Sequence, residues 1–233
     1  MTVFVYDRLR NISNQLYLCN RYRTKLAHNI MGLGIEVPDE TDSKKLEDLQ
    51  KALTDIPKRL IVDCGINSLD FEDLGPSAQY YPNHGRYKDN TLVLNSNIFN
   101  DPPVGQDEEG SDISHLKFVL VHEMGHGYDE IFGKKDNGVD LSLRPNWLRL
   151  SGWSEKPDKG LKRLIIKEPG HPVVKGEWYY SPSANFCRFY GKRNPYDDWA
   201  DTFSFYIIGM KRYIPEEKLK YFDDLLSRYY EGV

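Results

Sequence analysis

Apolar residues recur every three or four positions in four stretches of this chain, a spacing that predicts helices. Residues 8–28 put Leu9, Ile12, Leu16, Cys19 and Leu26 on one stripe. Residues 43–56 do the same with Leu46, Leu49, Leu53 and Ile56, opened by Asp42 or Ser43 and ended by Pro57. Asn194 as N-cap and Pro195 as first helical residue start a helix to about Gly209. Pro215 starts the last one, with Leu219, Phe222, Leu226 and Tyr229 on one face. A fifth helix is expected over about 112–132. Its run Leu116-Lys117-Phe118-Val119-Leu120-Val121 is almost wholly apolar, so it is buried; Ser111 or Asp112 offers a cap and Gly133 a stop.

Strands are fewer. Leu60-Ile61-Val62 reads as a short buried strand and Thr91-Leu92-Val93-Leu94-Asn95 as a second strand, with Leu164-Ile165-Ile166 and Pro172 to Tyr180 as further extended segments. Residues 75–90 carry turn signals, Pro102 to Gly110 form an acidic loop, and 134–158 look irregular around Trp147 and Trp153. No internal repeat, low-complexity linker or domain boundary interrupts the pattern. A few strands followed by helices predict one α+β domain over 1–233, a small mixed sheet with C-terminal helices. Residues 1–56 form a helical N-terminal part and 57–233 the core. The N-terminal helices are expected to pack on the sheet; a regulatory or targeting module is the alternative.

Composition narrows the function. With 233 residues and 39% hydrophobic content, the chain can bury one good core. A formal charge of −4 argues against generic nucleic-acid binding, and the basic stretch Lys156, Lys159, Lys162, Arg163 and Lys167 reads as a solvated face. No apolar run approaches the roughly 20 residues that span a bilayer, so no membrane association is expected. The first residues lack a basic segment followed by a long apolar one, and the three cysteines, Cys19, Cys64 and Cys187, are odd in number without a CxxC. Both features fit a cytoplasmic, reducing location. A monomer is the simplest expectation.

The chemistry sits in His122-Glu123-Met124-Gly125-His126, an HExxH sequence. On a helix, two His four apart share a face, one turn apart, so one ion can take both. The Glu beside the first His faces the same pocket and can act on a water there. The alternative, an exposed helix with two solvated His, conflicts with the apolar run before the motif. A buried pair of His and a Glu needs polar partners, and a metal answers that need.

A catalytic zinc usually takes three protein ligands. The extension HExxHxxGxxH fails, because Asp129 and Phe132 stand where Gly and His are required. His115 lies seven residues before His122, too far along the axis to share the ion, and His28, His84 and His171 have no supporting pattern. A carboxylate on another helix is the common alternative. Asp197, Asp198 and Asp201 gather in the first turns of the 194–209 helix. The macrodipole accounts for acids at 197 and 198, but less well for Asp201 among large apolar residues. Asp197 as ligand, with Asp201 orienting a ligand His, accounts for both. Asp198 or Asp201 as the ligand stays open as a fallback.

Two segments together resemble the catalytic core of the group of zincin metallopeptidases that contains anthrax lethal factor and the clostridial Pro-Pro endopeptidases. The first is His122-Glu123-Met124-Gly125-His126-Gly127-Tyr128-Asp129-Glu130, an HExxH followed closely by an acid. The second is Tyr190-Gly191-Lys192-Arg193-Asn194-Pro195-Tyr196-Asp197-Asp198-Trp199-Ala200-Asp201, which aligns without a gap to a Tyr seven residues before a ligand acid and an Ala-acid pair. The resemblance covers about residues 112–132 and 186–208. It implies a zincin-like fold and one zinc ion per chain held by His122, His126 and Asp197. Glu123 would be the base, Tyr190 would stabilise the oxyanion, and Asp201 and Asp129 would support the ligands from behind. One position departs: those families use Glu where this chain has Asp197. Asp is shorter by roughly 1.3 Å of reach, so either the second helix sits closer or the metal is held less tightly.

The resemblance implies hydrolysis of a peptide bond in a peptide or protein substrate. In zincins an edge strand before the active helix pairs with the extended substrate, which points to Leu92, Val93, Leu94 and Asn95 as substrate-binding residues. Two rivals keep the same ligands: a zinc hydrolase acting on a non-peptide amide, and a silent binding protein on the same scaffold. Glu123 and Tyr190 speak against the second. Iron or manganese would also suit two His and a carboxylate, and the adjacent Glu favours zinc.

Overall fold

The computed structural model describes residues 28–72, 79–81, 90–163 and 177–230. The described residues form six α-helices: α1 (Ser43–Thr54), α2 (Lys58–Asp63), α3 (His115–Asn137), α4 (Pro145–Ser151), α5 (Pro195–Ile207) and α6 (Glu216–Tyr229). The main sheet contains β1 (His28–Asn29), β2 (Glu36–Val37), β3 (Ile66–Glu72), β4 (Gln79–Tyr81) and β5 (Asn90–Asn95) in the order β1-β2-β3-β5-β4. β2, β3 and β5 run parallel, and β1 and β4 run antiparallel at the two edges. Two small ladders complete the strands: β6 (Gly105–Gln106) with β7 (Asp112–Ile113), and β8 (Trp153–Ser154) with β9 (Tyr179–Tyr180). The α+β class and the small mixed sheet are as the sequence leads one to expect. Among the described residues, no helix is long and apolar enough to cross a membrane.

The helix ends follow side-chain chemistry. Asp42 caps α1 by accepting from the Lys45 amide at 2.8 Å. Ser114 caps α3 by accepting from the Lys117 amide, so this helix begins three residues later than Ser111 suggested. It also runs past Gly133 and ends at Gly138, whose φ of 78° suits a left-handed cap. Gly133 serves packing instead: a Cβ there would lie 2.4 Å from the Asp140 Cα. The returning chain therefore presses on α3 at a position only glycine can occupy.

Three parts of the chain fold otherwise than expected. Leu60-Ile61-Val62 is helical, inside α2, with Leu60 and Ile61 buried and Val62 56% exposed. A three-residue apolar run does not separate a strand from one side of a short helix, and Pro57 at the N-cap opens the helix rather than only closing the previous one. Gly65, at φ 70°, then turns the chain into β3, which its scattered apolar residues did not announce. Residues 145–151, within the stretch read as irregular, form α4, with Pro145 at its start and Gly152 as a left-handed cap. Finally, β5 is interior: Leu92 pairs with Leu69 on one side and Tyr80 on the other. The edge strand is β4, and β4 runs beside α3. The expected helix over 8–28 and strand 164–166 lie outside the described residues, as do most of the 75–90 turn region and of the segment 172–180.

The core lies between the sheet and α3, and continues between α3 and α5. Leu92, Leu94, Leu69, Val121 and Met124 are buried in the first layer. In the second, Tyr128 stacks on Phe132 and lies near-parallel to Trp199, which also stacks on Phe203; Phe222 of α6 tilts against Trp199. Such ring pairs contribute about 0.5–1.5 kcal/mol each beyond their buried area. α3 and α5 are thus packed against each other through these rings, and the chemically interesting side chains project from the pair.

Candidate metal centre

α3 brings His122, Glu123 and His126 to one face, and all three are buried or half-buried. α5 crosses α3 closely. Its Ala200 lies opposite Gly125, where a Cβ would be 3.1 Å from the Ala200 Cα. The first turn of α5 then lays Asp197 against His126, Oδ1 to Nε2 at 3.6 Å. Donor atoms of His122, His126 and Asp197 all fall within 4.8 Å of one another, a group of metal-ligating type found among the described residues. Ligands about 2.1 Å from one tetrahedral ion stand about 3.4 Å apart, close to the His126–Asp197 separation. Two imidazoles and a carboxylate are also the donor types that suit a divalent transition metal.

Asp197 is held in place by its own helix cap. Asn194 accepts from the Asp197 amide at 2.8 Å and donates its side-chain N–H to Asp197 Oδ2 at 2.7 Å. One residue therefore starts the helix and occupies one carboxylate oxygen, while the other oxygen faces His126. Asp198 is excluded as a ligand in this arrangement. It is fully buried, accepts from the Trp153 indole at 3.0 Å and pairs with the buried Lys218.

Asp201 sits behind His122, with Oδ1 3.0 Å from the imidazole Nδ1. That contact leaves the other ring nitrogen for an ion. Asp129 behaves differently from expectation. Both of its oxygens are taken by Ser142, from the amide at 2.7 Å and from the hydroxyl at 2.6 Å. It fastens the segment after α3 and touches neither ligand histidine by a hydrogen bond. Leu92, Val93, Leu94 and Asn95 are all buried, Asn95 accepts from the Asn97 amide, and β4 rather than β5 lies at this edge of the sheet.

Tyr190 lies on a 3₁₀ turn (Phe189–Lys192) that packs on α5 through Gly191, where a Cβ would stand 3.3 Å from the Asp198 Cα. Its ring meets the His122 ring edge-on at 5.6 Å. The guanidinium groups of Arg188 and Arg193 lie 4.8 Å and 4.5 Å from its centroid. Neither arginine was singled out from the sequence; basic residues flanking Tyr190 were the only available signal.

Burial and charge work against each other at this site. Burial raises the Glu123 pKa against the opposing pull of both histidines. Burial alone would lower the His126 pKa, but the Asp197 contact and the Glu123 charge outweigh it and lift the imidazole to about 9. Asp197 is likewise held low by His126 against the cost of burial. His126 and Asp197 thus stabilise each other as an ion pair inside the site.

No protein-family model matches this sequence, and no curated protein matches it either.

Proposed function

We propose that this chain is a zinc-dependent endopeptidase of the zincin type. The observation that carries the proposal is the convergence of His122, His126 and Asp197 from two helices, with Glu123 buried beside them. A divalent ion held there would supply Lewis acidity and a water acidic enough to ionise near pH 7. Glu123 would accept a proton from the attacking water and deliver it to the departing amine. Burial raises its pKa, which favours the protonated form that delivers the proton in the second half of that transfer. Tyr190, beside His122, donates its hydroxyl to the oxygen on which charge develops; losing one such donor typically costs about 10² to 10³ in rate. The antiparallel edge strand β4 runs beside α3, which favours an extended peptide over a compact amide as substrate.

Zinc content of the purified wild type and of Asp197→Ala, measured together with cleavage of a denatured protein mixture, tests the proposal. One zinc per wild-type chain, lost along with cleavage in the variant, is expected. A wild type that binds zinc and cleaves no peptide in the mixture counts for the non-peptide amide rival.

A further inference from the structure

Arg188 occupies an unusual place at this centre. It precedes the Tyr190 turn in extended conformation and sends its side chain to α5. Its Nε and Nη2 both meet Asp201 Oδ1, at 2.8 Å and 2.6 Å. The same oxygen lies 3.0 Å from His122 Nδ1. The guanidinium plane is wedged between aromatic rings, 4.3 Å from the Phe118 centroid and 4.8 Å from that of Tyr190. Phe118, in turn, stacks on His122. One side chain therefore touches the carboxylate behind the first histidine, the ring packed on that histidine, and the tyrosine in front of it.

We propose that Arg188 is a positioning residue of the metal centre, fixing His122 through Asp201 and Phe118 while setting the place of Tyr190. This rests on the reading of His122, His126 and Asp197 as metal ligands. The physical case has two parts. Asp201 is 1% exposed, and a buried carboxylate without a cation is unstable as an anion. Arg188 supplies that cation and anchors the carboxylate 3.0 Å from His122 Nδ1, which fixes the imidazole with its other nitrogen towards the site. Second, only a planar guanidinium offers two donors to one carboxylate while stacking on two rings. A lysine would keep the charge and lose the stack.

The sign of the effect separates this role from plain electrostatics. Arg188 is a cation near a cation site, so Coulomb repulsion alone predicts that its removal tightens metal binding. Positioning predicts the reverse. The test is a zinc titration of the full chain against a chromogenic chelator, with wild type, Arg188→Gln, Arg188→Lys, Asp201→Asn and the Arg188→Gln/Asp201→Asn double variant, each checked by circular dichroism. Arg188→Gln is expected to weaken zinc binding about 10- to 100-fold, as loss of groups behind metal-ligating histidines typically does. Arg188→Lys should recover part of that loss. In the Asp201→Asn background, Arg188→Gln should add little, because the carboxylate it serves is gone. If Arg188→Gln misfolds, the same cycle is run with Arg188→Lys. Unchanged or tighter zinc binding by a folded Arg188 variant overturns the proposal, as does an equal loss with and without the Asp201 carboxylate. A wild type that takes no zinc instead removes the metal site, and the role of Arg188 with it.

Discussion

Gly125 and Ala200 face each other where α3 crosses α5, so closely that a Cβ on Gly125 would stand 3.1 Å from the Ala200 Cα and 3.2 Å from a ring carbon of Phe203. Gly125 is the residue before His126, and Ala200 lies one turn after Asp197. The separation of the two helices at this point sets the distance between the ligands they carry. Small residues at the crossing bring α5 near, which lets a side chain as short as Asp197 approach His126. Gly125→Ala should force the helices apart by a few tenths of an ångström. Overpacking of this kind costs typically about 1–3 kcal/mol, and here it should also weaken zinc binding. Urea unfolding and a zinc titration of the same variant test this. A destabilised protein with wild-type zinc affinity would show that the crossing does not set the ligand spacing.

The parts of this site legible in the sequence are those carried by a single element. His122, Glu123 and His126 follow from one helix, and Asp197 from the N-cap signal of Asn194 and Pro195. Arg188 and Arg193 were invisible for a physical reason: which carboxylate or ring an arginine meets is fixed only when α5 and its preceding turn pack on α3. Asp129 shows the same limit from the other side, since an acid three residues after a ligand histidine reads as its support, whereas Ser142 claims both oxygens. The order of strands in the sheet was equally hidden. β4 precedes β5 in the chain but folds back outside it, and only the ladder registers reveal which of the two is the edge.

Lys218 and Asp198 form a buried pair, with 2% and 0% exposure, that ties α6 to α5. The Lys218 ammonium also lies 5.1 Å from the Trp147 ring and 5.0 Å from that of Phe186. Removing one member leaves an uncompensated buried charge, which typically costs about 3–5 kcal/mol. Lys218→Met should therefore unfold at far lower denaturant than wild type. Lys218→Met/Asp198→Asn should recover much of the loss, because the stranded carboxylate is gone. Zinc stoichiometry should be unchanged in Asp198→Asn, and a fall in bound zinc there would return Asp198 to the set of ligands.

Asp129 makes stability depend on pH in a definite direction. Burial raises its pKa from the usual 3.8 to about 7, against the lowering effect of the Ser142 bonds. The folded state thus prefers the protonated acid. Below pH about 4 the group is neutral whether the chain is folded or not and exerts no penalty; as pH rises towards 7 the unfolded chain ionises first and stability falls. Asp129→Asn keeps a carbonyl acceptor for the Ser142 amide and can donate to the Ser142 hydroxyl, while removing the buried charge. The variant should equal or exceed wild type at pH 8, by about 1–3 kcal/mol, and should lose the decline between pH 4 and 7. Denaturant melts of the metal-free proteins across that range decide the matter; a variant less stable than wild type at pH 8 means that the charged form is the one the fold requires.

Zinc uptake should release a proton, because His126 carries one in the metal-free protein. Its pKa near 9 reflects the Asp197 contact and the Glu123 charge, which exceed the lowering effect of burial. A metal takes only the neutral imidazole, so below pH 9 binding must displace that proton. Apparent zinc affinity should then rise about tenfold per pH unit between pH 6.5 and 8.5. Asp197→Glu keeps a carboxylate to hold the proton, and should keep the slope even where its longer side chain weakens binding. Asn at the same position, in Asp197→Asn, removes the partner that holds the proton. The His126 pKa should then drop and the slope flatten, while absolute affinity falls with the lost ligand. Competition titrations with a chelator of known pH dependence read both quantities at once. A wild-type affinity that does not change over this range would mean that His126 is already neutral, and that the carboxylates beside it are balanced by some other charge.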